Sequence, residues 1–310
     1  MTSRDPIFDR CLQDGHAARL AGRFSEARKA YIQSLLQCVG DQLAPRADAL
    51  CGLAMVDRAQ CRYDSAIRNF NMALEVYEFL RDPTGQAFVL YGRGGAYRFL
   101  ARYDEAKKDL EKALKLAPDR ESEIFTRMAL GGLLRMMSAY RKSLTQYRKA
   151  RALAGRSRHQ YAMAYADCGI GNAHRMLGHR SDARKHLGLA EKRYTEIGDI
   201  VSRPYTLFAI SLMDFEDGMP GRLDEAETLF RRTSDDRGMI HVWLARGVAA
   251  LAAGRTARED LARASRLAVK IGLRLEAAHA SFLLRNSSPA RIGSYKALRI
   301  PAPESIFLLP

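Results

Sequence analysis

The chain has 310 residues, with 50 Lys and Arg against 35 Asp and Glu, a formal net charge of +15 and 47% hydrophobic residues. That is enough apolar material for a substantial core or two domains, and it excludes a disulfide miniprotein and a chain that is disordered throughout. Of the basic residues 39 are Arg and 11 are Lys. GC-rich coding alone produces such an excess, so any arginine pattern has to exceed that background.

At the start, Met1-Thr2-Ser3-Arg4-Asp5-Pro6 puts an acid and a proline where a secretory leader needs an apolar run, and no stretch approaches the ~20 apolar residues of a membrane span. A cytoplasmic chain with no membrane segment is expected. Cys11, Cys38, Cys51, Cys61 and Cys168 are odd in number and never form Cys-x-x-Cys. They suit small buried hydrophobes in a reducing compartment better than a disulfide framework or a zinc knuckle.

The predicted elements then recur. Gly22-Arg23-Phe24-Ser25-Glu26-Ala27, Cys61-Arg62-Tyr63-Asp64-Ser65-Ala66 and Ala101-Arg102-Tyr103-Asp104-Glu105-Ala106 share one shape, and weaker copies end at Ser143, Ala183 and Ala226. The spacings between these small residues are 39, 40, 37, 40 and 43. Each turn is preceded, about twelve positions earlier, by a small residue: Gly15, Ala54, Gly94, Gly131 and Gly171. Each is followed by a large apolar residue four positions on and a small one at seven, as in Ala66, Phe70 and Ala73. That spacing makes one helical face, and small residues there let two helices joined by a short turn cross closely. Pro118 reads as the stop of the third hairpin.

This pattern resembles the tetratricopeptide repeat (TPR), most clearly in Leu90, Gly94, Tyr97, Ala106, Leu110, Ala113 and Pro118. The ~40-residue period is similar to the long variety of kinesin light chain and Rap-type repeats, and Val39-Gly40-Asp41-Gln42 and Ile197-Gly198-Asp199-Ile200 resemble its linkers. The resemblance implies an all-α, right-handed solenoid of about seven helix-turn-helix units: 5–40, 41–80, 83–118, 121–155, 158–197, 200–234 and 237–270. A capping helix at 273–285 and a loosely held, proline-containing tail at 286–310 would follow. Trp243 falls at a core position of the last unit.

A solenoid of this kind holds other molecules on its concave face, so function has to be read from what lines that face. With Gly15, Ala54, Gly94, Gly131 and Gly171 numbered as position 8, the core stripe is 4, 7, 8 and 11, and positions 2, 5, 9, 12 and 13 point roughly 140° away. Position 12 is Arg19, Arg58, Arg98, Arg135 and Arg175. At about one Arg in eight, five hits in a chosen column arise by chance about 3 times in 100,000. Five arginines on one face repel one another unless something acidic lies between them, which points to a ligand with carboxylates or phosphates.

Around that ladder, positions 2, 5 and 13 of the middle units supply Phe88, Tyr91, Phe99, Phe125, Met128, Met136, Tyr165 and Met176. At position 2 the aromatics Phe88, Phe125 and Tyr165 equally suit core packing against the next unit. Gly95 and Gly132 leave room at position 9, and Asn172 matches the asparagine with which the resembled family grips a peptide backbone. Together these suit a partner segment with apolar anchors and acidic flanks.

Residues 141–193 hold 13 basic and 3 acidic residues and four of the seven histidines, whereas 199–236 hold 9 acidic and 4 basic. Such polarisation can steer an acidic partner or let copies of the chain associate; it also suits a solvated basic face. Catalytic chemistry and cofactors are not expected. Gly92-Arg93-Gly94-Gly95 lies within a predicted helix and lacks the Lys-Ser/Thr of a phosphate loop. The spacing of His174, His179 and His186 does not stack imidazoles one helical turn apart, so no metal site is expected. The leading expectation is therefore a non-catalytic scaffold or adaptor for an acidic, partly apolar partner. The alternatives are a nucleic-acid binder and a peptide-sensing regulatory module.

Overall fold

The computed structural model describes residues 6–38, 42–285 and 293–308. The linker residues Val39, Gly40 and Asp41 and the tail residues 286–292 and 309–310 lie outside that set. Among the described residues every regular element is a helix. They run α1 (Pro6–Leu20), α2 (Phe24–Gln37), α3 (Leu43–Ala59), α4 (Tyr63–Phe79), α5 (Pro83–Phe99), α6 (Tyr103–Leu116), α7 (Arg120–Met136) and α8 (Tyr140–Arg156). Then follow α9 (Gln160–Met176), α10 (Arg180–Glu196), α11 (Arg203–Glu216), α12 (Leu223–Arg232), α13 (Asp236–Ala252), α14 (Arg258–Lys270), α15 (Arg274–Leu284) and α16 (Gly293–Ala297). No helix among them is long and apolar enough to cross a membrane.

Local sequence sets where these helices begin and end. Asp82 Oδ1 accepts the backbone N–H of Thr84 (2.9 Å) and Gly85 (3.1 Å) at the head of α5, and Asp235 Oδ1 accepts that of Gly238 (2.9 Å) at the head of α13. Within a hairpin the residue that ends the first helix adopts positive φ, as at Cys61 (59°), Ala101 (55°), Ser138 (60°) and Gly178 (76°). The following N–H then reaches back to an orphan carbonyl: Arg62 N to Asp57 O is 2.8 Å and His179 N to His174 O is 2.9 Å. α6 ends at Leu116, two residues before the expected stop at Pro118.

The chain divides into two compact units, residues 1–98 with 104–122 and residues 99–103 with 123–310. In the first, Tyr31 of α2 is fully buried against both α1 and α3, and a Cβ added at Gly15 or Gly52 would come closer than 3.0 Å to its ring. Phe70 of α4 meets Gly92 of α5 in the same way. In the second unit Tyr147 of α8 lies against Gly131 of α7 and Gly169 of α9, and Phe230 of α12 against Gly238 of α13. Each ring thus joins a hairpin to its neighbour through a notch that only glycine leaves open.

Buried carboxylates add a second kind of tie. Asp57, fully buried, accepts Arg62 Nε (2.8 Å), Ser65 Oγ (2.8 Å) and Asn69 Nδ2 (3.3 Å) and also pairs with Arg28. In the second unit Asp167, 1% exposed, pairs with Arg151 (3.0 Å), Arg193 (2.8 Å) and His186 (3.0 Å). A buried carboxylate is tolerated only with this degree of pairing.

The described part of the tail differs from the loosely held segment expected from its sequence. Tyr295 of α16 is 1% exposed, stands edge-on to Phe282 at 5.7 Å and meets His279 through its hydroxyl, while Leu298 and Ile300 are also buried. One aromatic and two aliphatic anchors outweigh the loss of the repeat pattern.

The ring-and-notch packing makes a direct prediction. Gly169→Ala should lower stability by about 1–3 kcal/mol, because its Cβ must displace the Tyr147 ring. Gly188→Ala on α10, where nothing lies within 4 Å of the added Cβ, should raise stability by about 0.5–1 kcal/mol through helix propensity. Denaturant midpoints of the two variants should move in opposite directions.

Candidate functional site

In the first unit two of the predicted residues, Arg19 and Phe88, line a cleft with a cavity volume of about 380 Å³, together with Leu12, His16, Asp48 and Cys51. Arg19 is half-buried, and the Tyr31 hydroxyl lies 2.8 Å from His16 Nδ1. Phe88 is 43% exposed. Asp48 is spoken for, because the Tyr77 hydroxyl donates to its Oδ1 at 2.6 Å. Arg58 leaves the cleft: its guanidinium lies 5.4 Å from the Tyr91 ring centroid and its Nη1 is 3.5 Å from Gly92 O. The space expected at Gly95 belongs to that arginine, since a Cβ there would meet Arg58 Nη1 at 2.5 Å. Arg98 is half-buried. Gly92-Arg93-Gly94-Gly95 is interior helix, with Arg93 giving Asp109 two hydrogen bonds (2.7 and 2.9 Å).

The second unit holds the rest. Arg175, near the end of α9, is only 5% exposed. Asn172 Oδ1 accepts from its Nε (3.4 Å) and Nη2 (3.3 Å), and the carbonyl of Phe307 accepts from its Nη1 at 2.7 Å. Asn172 Nδ2 donates to Cys168 O at 3.1 Å, so this asparagine orients the arginine and bonds its own helix. Burial, and then the neighbouring charge of Arg135, lowers the Arg175 pKa from 12.5 to about 10. Arg135 is half-buried, and its Nε has no hydrogen-bond acceptor among the described residues.

The apolar columns are more deeply placed than the angular argument implied. Met128, Met136 and Met176 are 3%, 4% and 7% exposed and belong to the core. Phe125 is half-buried with its ring edge-on to His159 at 5.7 Å, and Tyr165 is half-buried with its ring 6.2 Å from that of Tyr161. Each first helix of a hairpin is covered by its own partner and by the adjoining hairpin, so more than one stripe is buried. Phe99 is likewise engaged, with the Arg237 guanidinium 4.4 Å from its ring centroid. Trp243 is partly buried against the cluster around Phe230 and Met239.

Two charge features also resolve within the chain. The basic and acidic segments meet internally: Arg184 pairs with Asp214 (2.9 Å), Arg180 with Glu216 and Asp217, and Arg203 with Glu191 (2.9 Å). The histidine spacing argument is corrected, because the turn at Gly178 folds α10 back and brings His174 Nδ1 to 3.1 Å from His179 Nδ1. Together with Asp182 they offer donor atoms within 4.8 Å of one another. Arg148 Nη2, a donor only, lies 3.5 Å from His174 Nε2. That places the His174 proton on Nδ1, facing His179, and makes the group a chain of hydrogen bonds better suited to joining α8, α9 and α10 than to ligating a cation.

The fold and this face define a helical-hairpin repeat protein with arginines at a repeated position. Residues 15–79 and 85–156 match the tetratricopeptide repeat family, and the helical hairpins along the described chain have the all-α solenoid fold of tetratricopeptide-repeat proteins. Its structure is similar to that of a Rap protein complexed with Competence and Sporulation Factor (TM-score 0.65, 14% identity, 95% of this chain and 94% of that chain). It is also similar to aspartyl phosphate phosphatase F from Bacillus subtilis (TM-score 0.59, 12% identity, 96% and 92%) and to the apo form of RapI (TM-score 0.54, 13% identity, 94% and 98%). At these identities the likeness is one of fold. No match is found among curated proteins.

The second unit carries a pH prediction. His279 is fully buried, and burial lowers its pKa from 6.5 to about 3, helped by His241 and opposed by Glu276. His241 is lowered chiefly by burial too. The unfolded chain takes up these protons at about 6.5 and the folded chain does not. Their contribution to stability is therefore complete above pH 6.5 and is lost as pH falls below it. Between pH 7.5 and 5.5 His279 alone should remove about 1 kcal/mol from the urea unfolding free energy, and His241 acts in the same direction. His279→Gln should flatten that dependence.

Proposed function

We propose that the chain is a cytoplasmic, non-catalytic adaptor that holds an acidic, partly apolar segment of a partner protein against the arginine-bearing faces of its repeats. The observation that carries this reading is the pair formed by Arg135 and Arg175. One guanidinium is already oriented by Asn172 and bonded to a polypeptide carbonyl, and its neighbour keeps a buried Nε with no acceptor. A buried guanidinium whose charge a neighbouring guanidinium disfavours binds an incoming carboxylate in preference to a neutral group. The exposed ring of Phe88 and the apolar rim around it offer a separate anchor in the first unit.

A nucleic-acid role is less well supported, because several of the middle segment's basic residues are paired with this chain's own carboxylates. A peptide-sensing regulatory role is a second reading, favoured by the fold likeness to a Rap protein complexed with Competence and Sporulation Factor. A ligand-induced change in scattering profile would distinguish it from a rigid adaptor.

The test uses a synthetic array of acidic-apolar peptides, each with a control in which Asn and Gln replace the acids. Peptides that bind should lose at least tenfold in affinity when the acids are replaced, and at least tenfold in Arg135→Ala, with helical circular dichroism unchanged. Equal affinity for acidic and amide peptides, or no effect of Arg135→Ala, would overturn the reading. So would tight, Arg135-independent binding of duplex DNA or RNA at about 0.15 M salt.

A further inference from the structure

The hydrogen bond from Arg175 to Phe307 joins residues 132 positions apart in sequence. It is made by the one residue of the arginine ladder that is fully buried, and its acceptor is main chain. The donor side is organised in advance. Asn172 Nδ2 is fixed on Cys168 O (3.1 Å), and Asn172 Oδ1 holds Arg175 by Nε and Nη2, leaving Nη1 directed at the incoming carbonyl. Such pre-orientation reduces the entropy cost of binding.

The acceptor side is shaped too. Tyr295, Leu298 and Ile300 fasten the segment to the end of the second unit. Pro301 and Pro303 restrict the backbone that follows, removing two N–H donors from it. Leu308 N bonds to Ser305 O (3.1 Å) and Phe307 N lies 3.2 Å from Ser305 Oγ, a local turn that presents the Phe307 carbonyl outward. Ile306, Phe307 and Leu308 are half-buried, and Glu304 is exposed. Six residues, hence seven Cα steps, separate Ile300 from Phe307. At no more than ~3.4 Å each, these steps reach about 24 Å and can cross about two helices spaced ~10 Å apart.

We infer that the Arg175 face of α9 is a polypeptide-binding surface whose resident occupant is residues 304–308 of this same chain, and that a partner segment reaches it by displacing them. The inference rests on the proposed reading of the arginine face as the partner site and names its competitor. The occupant is well suited to leave. It offers Arg175 a neutral carbonyl and no carboxylate, and its apolar side chains are only half covered. A tethered segment competes at an effective concentration of about 1 mM, so an intrinsic Kd near 100 μM would weaken any external ligand about tenfold.

The test keeps the chain at full length and uses a fluorescein-labelled peptide of residues 301–310, Pro-Ala-Pro-Glu-Ser-Ile-Phe-Leu-Leu-Pro. The double variant Ile306→Ser/Phe307→Ser, which removes the apolar anchors without adding charge, should release the tail and bind the peptide about tenfold more tightly than the unaltered chain. Adding Arg175→Lys, which keeps the charge but removes the fork that meets the carbonyl, should reverse that gain. In the unaltered chain amide exchange over 304–308 should be slower than in the double variant, a readout that needs no ligand and no change in the repeats. Equal peptide affinity in the unaltered and double-variant chains, or equal exchange of the segment in both, would overturn the inference. If the acidic peptides of the previous test bind both chains equally and still depend on Arg135, the partner reading survives and this inference fails. If the tail peptide behaves as expected and acidic peptides show no Arg135 dependence, the reverse holds.

Discussion

The structure depends on one kind of contact, a large side chain of a second helix seated in a glycine notch of the helices on either side. Tyr31 fills the gap over Gly15 and Gly52, and Tyr147 the gap over Gly131 and Gly169. Because one ring touches both neighbours, it fixes the distance between successive hairpins and their rotation about the helix axes at once. That register brings position 12 of α7 and of α9 to the same side of the second unit, close enough for Arg135 to act on the ionisation of Arg175. The notch therefore comes before the site. Where Leu replaces the aromatic, as Leu187 does against Gly171 and Ala209, the small-residue requirement persists with a smaller wedge.

Buried carboxylates decide which arginines remain for other work. Asp57, Asp109, Asp167 and Glu276 are each at most 5% exposed, and each is paired with at least one arginine. Glu276 illustrates the balance: burial opposes its charge, but His241, Arg237 and His279 together hold its pKa near 2, so it stays ionised. With further pairs from α10 to α11, much of the basic excess of the middle segment is internal wiring. The bulk charge of +15 is thus a poor guide to the partner, and the local environment of Arg135 and Arg175 is a better one.

Much of the fold was legible because the repeat spells out its geometry in residue size. The small residue at position 8, the large residue sixteen on and the turn shape Cys61-Arg62-Tyr63 mark the hairpins directly. The other half of each notch, position 6 at Gly52, Gly92 and Gly169, was equally visible as a small-x-small pattern, but its meaning depends on the neighbouring hairpin. The arginine ladder was legible as a column and not as a set of environments: Arg58 turns to Tyr91 while Arg175 is buried beside Asn172. Met128, Met136 and Met176 fall on the groove side of a single helical wheel, which counts one covering partner, whereas these helices have two. The His174 and His179 contact and the stacking of Arg237 on Phe99 are invisible to a helical period for a related reason, since the first is made by chain reversal and the second joins residues far apart in sequence.

The tail changes what the arginine face can select. A segment already in place satisfies the main-chain part of recognition, so apolar side chains and a carbonyl are the least that a competitor must match. What the tail does not supply is negative charge at Arg175 and Arg135, since Phe307 contributes only a carbonyl dipole and Glu304 is exposed. A partner carboxylate placed between two guanidinium groups in a desolvated setting gains more than the carbonyl it replaces. Apolar likeness to the tail would then bring many segments to the same weak affinity, and charge would distinguish among them. Specificity on this face accordingly comes from the difference between a partner and the chain's own segment, with the repelled arginine pair as the discriminating element.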